Sequence, residues 1–202
     1  MRKFIVGIVL SLTAVLITSC AQNEVKTKTI EEEQISNTEM SLLKDGIKAF
    51  LNKDYKKAFD IFQNEIPNNA KAQGFIGIMY LHGMGVKQDF KEARKWLDKS
   101  ANQGDMDSLN IIASLYAEGI SVEQDYRKAI ELYEKSANTG NISAKDSLAY
   151  LYATGKGVEK DLRKAYIYWT EASKSGKEGN PTTIRAKNSL RILCENNPEV
   201  CK

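Results

Sequence analysis

The stretch "YLHGMGVKQDFKEA", Tyr80 to Ala93, decides the fold. It sets two glycines, Gly83 and Gly85, between an apolar run and a charged one, and nearly the same text returns twice. Tyr80, Tyr116 and Tyr152 are 36 residues apart, and the same interval separates Gly83, Gly119 and Gly155, then Val86, Val122 and Val158. Asp89, Asp125 and Asp161 keep the register, as do Ala93, Ala129 and Ala165, and Gly104, Gly140 and Gly176. A period of this length marks stacked supersecondary units, each too small to bury its own apolar face. Each unit reads as a helix pair, because "AKAQGFIGIMYL" and "DFKEARKWLDKSAN" space their apolar residues helically and lack strand alternation.

Each repeated residue has a physical task. Gly83 ends the first helix, where a left-handed backbone is cheap only for glycine. Asp89 caps the second helix by accepting from free backbone N–H groups, and Glu92 is expected to complete a capping box. Ala93, Ala129 and Ala165 are small because the two helices approach closely there. Trp96 and Leu97, Leu132 and Tyr133, and Tyr168 and Trp169 form one aligned two-residue site in which bulk is exchanged between positions. Gly104, Gly140 and Gly176 close the second helix.

The three copies, "YLHGMGVKQDFKEARKWLDKSANQGD", "YAEGISVEQDYRKAIELYEKSANTGN" and "YATGKGVEKDLRKAYIYWTEASKSGK", resemble Sel1-like repeats, relatives of the tetratricopeptide repeat. The resemblance implies an all-α, right-handed α-solenoid of stacked antiparallel helix pairs. Two departures stand out: Ser121 replaces the second loop glycine in copy two, and copy three runs into the polar insertion "KSGKEGNPTT". The copies occupy residues 70–105, 106–141 and 142–177. Before them, 38–69 reads as a tetratricopeptide-type pair around Asp54-Tyr55-Lys56-Lys57-Ala58. After them, "RAKNSLRIL" echoes "SAKDSLAYL", so 178–202 forms a capping helix with a Cys194–Cys201 loop, as an end unit must.

The N-terminus reads differently. Met1-Arg2-Lys3 precedes an apolar run from Phe4 to Ile17, too short to span a bilayer comfortably and typical of an export signal. It ends in "LITSC", Leu16 to Cys20, which resembles a bacterial lipobox. The resemblance implies cleavage after residue 19, lipidation of Cys20 and stable anchoring by several acyl chains. Ala21 in place of an aspartate favours the outer membrane, facing the periplasm. Residues 20–37 then form a polar tether of roughly 20 Å. The remaining cysteines, Cys194 and Cys201, read as a disulfide in an oxidising compartment, since neither CxxC spacing nor nearby histidines suggest redox or metal work.

Composition narrows function. With 42% hydrophobic and 27% charged residues this is ordinary globular composition. Loss of Arg2 and Lys3 lowers the net charge from +3 to +1, leaving 27 basic against 26 acidic residues and no field for nucleic acid. His82 is the single histidine, which excludes a multi-histidine metal site, and it falls at a loop position held by Glu118 and Thr154 elsewhere. No catalytic residue, cofactor or metal is expected. One enzymatic pattern exists: Ser41-x-x-Lys44, Ser108-x-Asn110 and Lys174-Ser175-Gly176 follow the order of penicillin-binding and β-lactamase motifs. That chemistry needs a sheet edge, and each motif has a plainer account in the repeat pattern.

The function expected instead is binding of a protein or peptide partner in the envelope, along a concave face lined by the first helix of each pair. If Ala72, Ile76, Met79 and Tyr80 face the core, then Lys71, Phe75 and Ile78 turn outward. Their equivalents are Asp107, Ile111 and Ser114, then Ser143, Ser147 and Tyr150, flanked by Gly74, Asn110 and Asp146. The candidate partner-binding residues are therefore Phe75, Ile78, Asn110, Ile111, Ser114, Asp146 and Tyr150, with packing between layers the alternative for some of them. The Sel1-like resemblance implies an adaptor, or an immunity lipoprotein that neutralises a toxin.

Overall fold

The computed structural model describes residues 34, 36–177 and 179–202, apart from the Glu65 side chain. The expected export signal, the expected lipidation site Cys20 and most of the expected tether lie outside the described residues. Among the described residues there are nine helices and no strand: α1 (36–51), α2 (Tyr55–Asp60), α3 (Ala70–His82), α4 (Phe90–Asn102), α5 (Met106–Glu118), α6 (Tyr126–Ala137), α7 (Ile142–Thr154), α8 (Leu162–Ser175) and α9 (Pro181–Asn196). The pairs α3–α4, α5–α6 and α7–α8 pack as hairpins, and each hairpin leans on the next through α4–α5, α6–α7 and α8–α9. That succession is an α-solenoid.

Punctuation repeats with the sequence. Gly83, Gly119 and Gly155 adopt φ of 66°, 70° and 73°, and each N–H donates to the carbonyl four residues back. The side chains of Asp89, Asp125 and Asp161 accept from the first-turn N–H groups of α4, α6 and α8. Their own N–H groups donate to the carbonyls of Tyr80, Tyr116 and Tyr152 at 2.9–3.0 Å, closing every loop alike. This overturns the capping box expected of Glu92: the Asp89 N–H is already taken by Tyr80, and Glu92 pairs with Lys95 at 3.1 Å instead.

Two glycines act by contact rather than by helix ending. A Cβ on Gly157 would sit 2.3 Å from the Tyr126 Cβ, so this loop rests on the start of the preceding layer's second helix. Gly85 meets the Tyr55 backbone in the same way. Gly176 departs from Gly104 and Gly140, which have φ of 89° and 94°. It is extended, with φ of −90°, and its missing Cβ leaves room for Thr183 on α9.

The core forms two clusters. The N-terminal one gathers Leu43, Ala58, Phe62, Ile66, Ala72, Ile76 and Met79. The larger runs from Leu97 through Ile112, Leu115, Tyr133, Leu148, Leu151 and Trp169 to Ala186 and Leu193. Ala93, Ala129 and Ala165 are fully buried, and a Cβ on Gly77 would come 2.7 Å from Leu97, so the hairpin helices do approach closely there. In α2 the last turn widens into a π-helical segment, Ile61–Glu65. At the other end Cys194 and Cys201 are joined, closing a seven-residue separation that brings Val200 onto the core.

Candidate functional site

The aligned pair of bulky positions on the second helices builds the site. Its second member is Leu97 in the first repeat, Tyr133 in the next and Trp169 in the third, all buried. On the first helices, the position that is Asp146 in the third repeat is Gly74 in the first and Asn110 in the second. A buried phenol or indole needs a polar partner. Tyr133 Oη lies 2.8 Å from Ser114 Oγ. Burial pushes this phenol's pKa up, against its hydrogen bond to Ser114, which pulls it down. Trp169 Nε1 donates to Asp146 Oδ1 at 3.0 Å.

Asp146 is only 5% exposed and its second oxygen is also engaged. Arg185 Nε on α9 donates to Oδ2 at 2.6 Å, and a second guanidinium nitrogen joins the ion pair. A buried carboxylate without partners would cost several kcal/mol, roughly, and Asp146 avoids that cost through the indole below and the guanidinium beside it. The capping helix is thereby tied to the third repeat.

Above these residues opens a groove of about 680 Å3. Ser114 and Glu118 line it from α5, Ser147 and Tyr150 from α7, Arg185 and Ser189 from α9, with Tyr133 and Trp169 beneath. Tyr150 is 49% exposed. Lys156 Nζ lies 3.3 Å from Tyr150 Oη and within 5.7 Å of the Tyr126 ring centroid. That hydrogen bond raises the lysine pKa, keeping it charged. A smaller recess of about 370 Å3 shares Tyr150, Trp169 and Ser189 and adds Ala153, Leu162, Ile192 and Leu193.

Three of the residues expected to bind a partner, Ser114, Asp146 and Tyr150, come together in the groove. Three do not. Phe75 stacks on Phe62 and meets Phe50 edge-on, both at 5.1 Å, because the α1–α2 pair covers that end of the face. Ile111 packs against the larger core, and Ile78 is half-buried. Asn110 is half-buried as well, with an Oδ1 that is buried and has no partner among the described residues. Sequence reasoning missed Lys156, Trp169, Arg185 and Ser189 as site residues. The signal for the last two was present, since Ala186 aligns with Ala144 once six inserted residues are allowed for, which puts Arg185 level with Ser143 and Ser189 level with Ser147.

The enzymatic pattern is not assembled as a site. Ser41 and Lys44 are exposed on α1, whereas Ser108 on α5 is buried with its hydroxyl bonded to Ser100 at 2.8 Å. Lys174 lies at the far end of α8. No cluster of histidine, cysteine, aspartate and glutamate able to hold a metal occurs among the described residues, and none of their helices is long and apolar enough to cross a membrane.

A row of helical hairpins with an open, hydroxyl-lined groove defines a solenoid scaffold of the kind that typically mediates protein–protein interaction. The family model for the Sel1 repeat matches residues 70–105, 107–141 and 143–177, and the chain belongs to that family. Among solved structures it is similar to a Sel1 repeat protein from Oxalobacter formigenes, with TM-score 0.65 and 24% identity over 77% of this chain and 62% of that one. It is also similar to a protective antigen present in uropathogenic Escherichia coli strains, with TM-score 0.63 and 24% identity over 79% of this chain and 34% of that one. A third is cysteine rich protein B of Helicobacter pylori, with TM-score 0.51 and 22% identity over 65% of this chain and 96% of that one. The chain thus spans less than two thirds of the first two neighbours, and the likeness is one of fold. No curated protein matches it.

Proposed function

We propose that this chain is a non-catalytic, membrane-tethered interaction module on the periplasmic side of the envelope, holding a protein or peptide segment in its concave groove. The observation that carries the reading is the groove itself. It joins an exposed aromatic, Tyr150, to a floor of fully hydrogen-bonded Tyr133 and Trp169, so the surface is rigid before anything binds. Hydroxyls along both walls suit the alternating donors and acceptors of a peptide backbone. The lipobox-like "LITSC" supports the tether, and the Cys194–Cys201 bond agrees with an oxidising compartment. The role is that of an adaptor or of a toxin-neutralising immunity lipoprotein.

Affinity capture from envelope extract tests the groove: the native protein retains a partner that Tyr150→Asp loses, and equal retention by both would move the site elsewhere. Covalent labelling of Ser41 by a tagged penicillin would overturn the non-catalytic reading. Cys20→Ala is expected to shift the protein from the membrane to the soluble fraction; persistence in the membrane fraction removes the tether.

A further inference from the structure

We infer that the α7–α9 end of the groove receives the free C-terminus of a partner chain whose last residue carries a large apolar side chain. This rests on the groove being the partner site. Three observations converge on it.

The first is Arg185. Its Nε and one terminal nitrogen are spent on Asp146, yet the side chain is 64% exposed. A guanidinium has five N–H donors, so the outward edge remains free to take a carboxylate with two parallel hydrogen bonds. The inward ion pair fixes the fork beforehand, which removes most of the ordering cost that a free arginine would meet on binding.

The second is the distribution of charge. Asp146 directs both oxygens inward, to Trp169 and Arg185, and presents little charge to the groove. Lys156 adds a second, exposed cation beside Tyr150. The other carboxylate of the groove, Glu118, stands on α5, two first helices away from α9. The groove is therefore cationic at Arg185 on α9 and anionic at Glu118 on α5, with Lys156 between Tyr150 and the Tyr126 ring. A bound chain would run with its acidic end at α9 and its upstream amides crossing toward α5.

The third is the smaller recess. Ala153, Leu162, Ile192 and Leu193 make it apolar, and Ile192 is 50% exposed with nothing covering it among the described residues. It shares Tyr150, Trp169 and Ser189 with the groove. Ser189 is one helical turn from Arg185 on α9, and Ile192 and Leu193 follow within a further turn, so the cation and the apolar slot lie on one helix about 10–12 Å apart along its axis. An acid and an apolar side chain branching from one α-carbon is the chemistry of a chain terminus. An internal aspartate or glutamate offers its acid on one α-carbon and needs a neighbouring residue for the apolar side chain.

Trp169 on the groove floor supplies the readout. Trp96→Phe leaves it as the single tryptophan of the full chain. N-acetylated hexapeptides of one sequence ending in leucine are titrated against its fluorescence as free acid, as C-terminal amide, with terminal glycine, and with an internal aspartate followed by an amide. The free acid is expected to bind saturably, and the amide about 10–100-fold more weakly, the worth of a charged hydrogen-bonded pair. Terminal glycine should also weaken binding. Arg185→Lys keeps Asp146 paired but loses the fork, and should bring the free acid close to the amide. Equal binding of acid and amide, binding of the internal aspartate peptide as tight as the free acid, or no binding of any free acid at millimolar concentration each overturns the inference. If the captured partner is lost by Tyr150→Asp but binds unchanged after trimming of its own C-terminus, the inference falls while the groove stands.

Discussion

Replacing Gly157 with alanine separates the two demands that the repeat loop makes on its glycines. At φ of 74° a residue with a Cβ costs about 1–2 kcal/mol through its own backbone. The added methyl would also fall 2.3 Å from the Tyr126 Cβ and 2.9 Å from the Tyr126 carbonyl carbon, in the layer before. Backbone atoms at a helix start yield little, so this overlap costs a further 1–3 kcal/mol, roughly, as overpacking does. Gly104→Ala is the control: its φ is 89°, and nothing lies within 4 Å of the added Cβ. Urea unfolding followed by circular dichroism should show Gly104→Ala losing about 1–2 kcal/mol, and Gly157→Ala about 1–3 kcal/mol more than that. The difference measures how tightly the loop of one layer presses on the next. Equal losses, or a larger loss at Gly104, would refute the claim that Gly157 is an interlayer contact.

Asp146→Ala should destabilise by about 1–3 kcal/mol, chiefly because the buried Trp169 N–H loses its acceptor while Arg185 regains water. The check is a red shift of Trp169 emission together with a lower urea midpoint. Glu131 accepts from Lys128 and Lys135, which lower its pKa from 4.5 to about 2. Because the folded value is the lower one, the stabilising contribution is complete above 4.5 and is lost as pH falls through about 2. The carboxylate is fully exposed, so salt should draw its midpoint back toward the ordinary value. A carboxyl NMR titration giving an ordinary midpoint for Glu131 at low salt would refute the pairing.

The hairpin row was legible because repetition checks itself: a residue returning every 36 positions must do the same work each time, and glycine and aspartate do work that few others can. What failed was local reasoning about partners that come from elsewhere. The capping box at Glu92 is a good local rule, but the N–H it needed is bonded to Tyr80 across the loop. Gly176 carries the spacing of a helix-ending glycine, yet it is extended and its place is decided by Thr183 from α9. Ser121 sits at φ of 62° where the other copies have glycine, so the second layer tolerates a strained residue that pattern alone would forbid. The π-helical turn at Ile61–Glu65 adds one residue to a helix and leaves no mark on apolar spacing.

For the site, a helical wheel says which face a residue takes but not what stacks at the end of the row. Phe75 and Tyr150 lie on the same outward face of α3 and α7, about one turn apart in register, and only the second is open. The first meets Phe50 and Phe62 of the N-terminal pair, whereas past α7 lies α9, which has no paired second helix among the described residues. The groove forms at that end because bulk on the second helices rises toward it, from Leu97 through Tyr133 to Trp169, and each larger ring demands a polar partner from the facing helix. Asp146 is that partner for Trp169, and a buried aspartate in turn demands a cation, which α9 supplies as Arg185. The polarity of the groove thus follows from the packing of one indole.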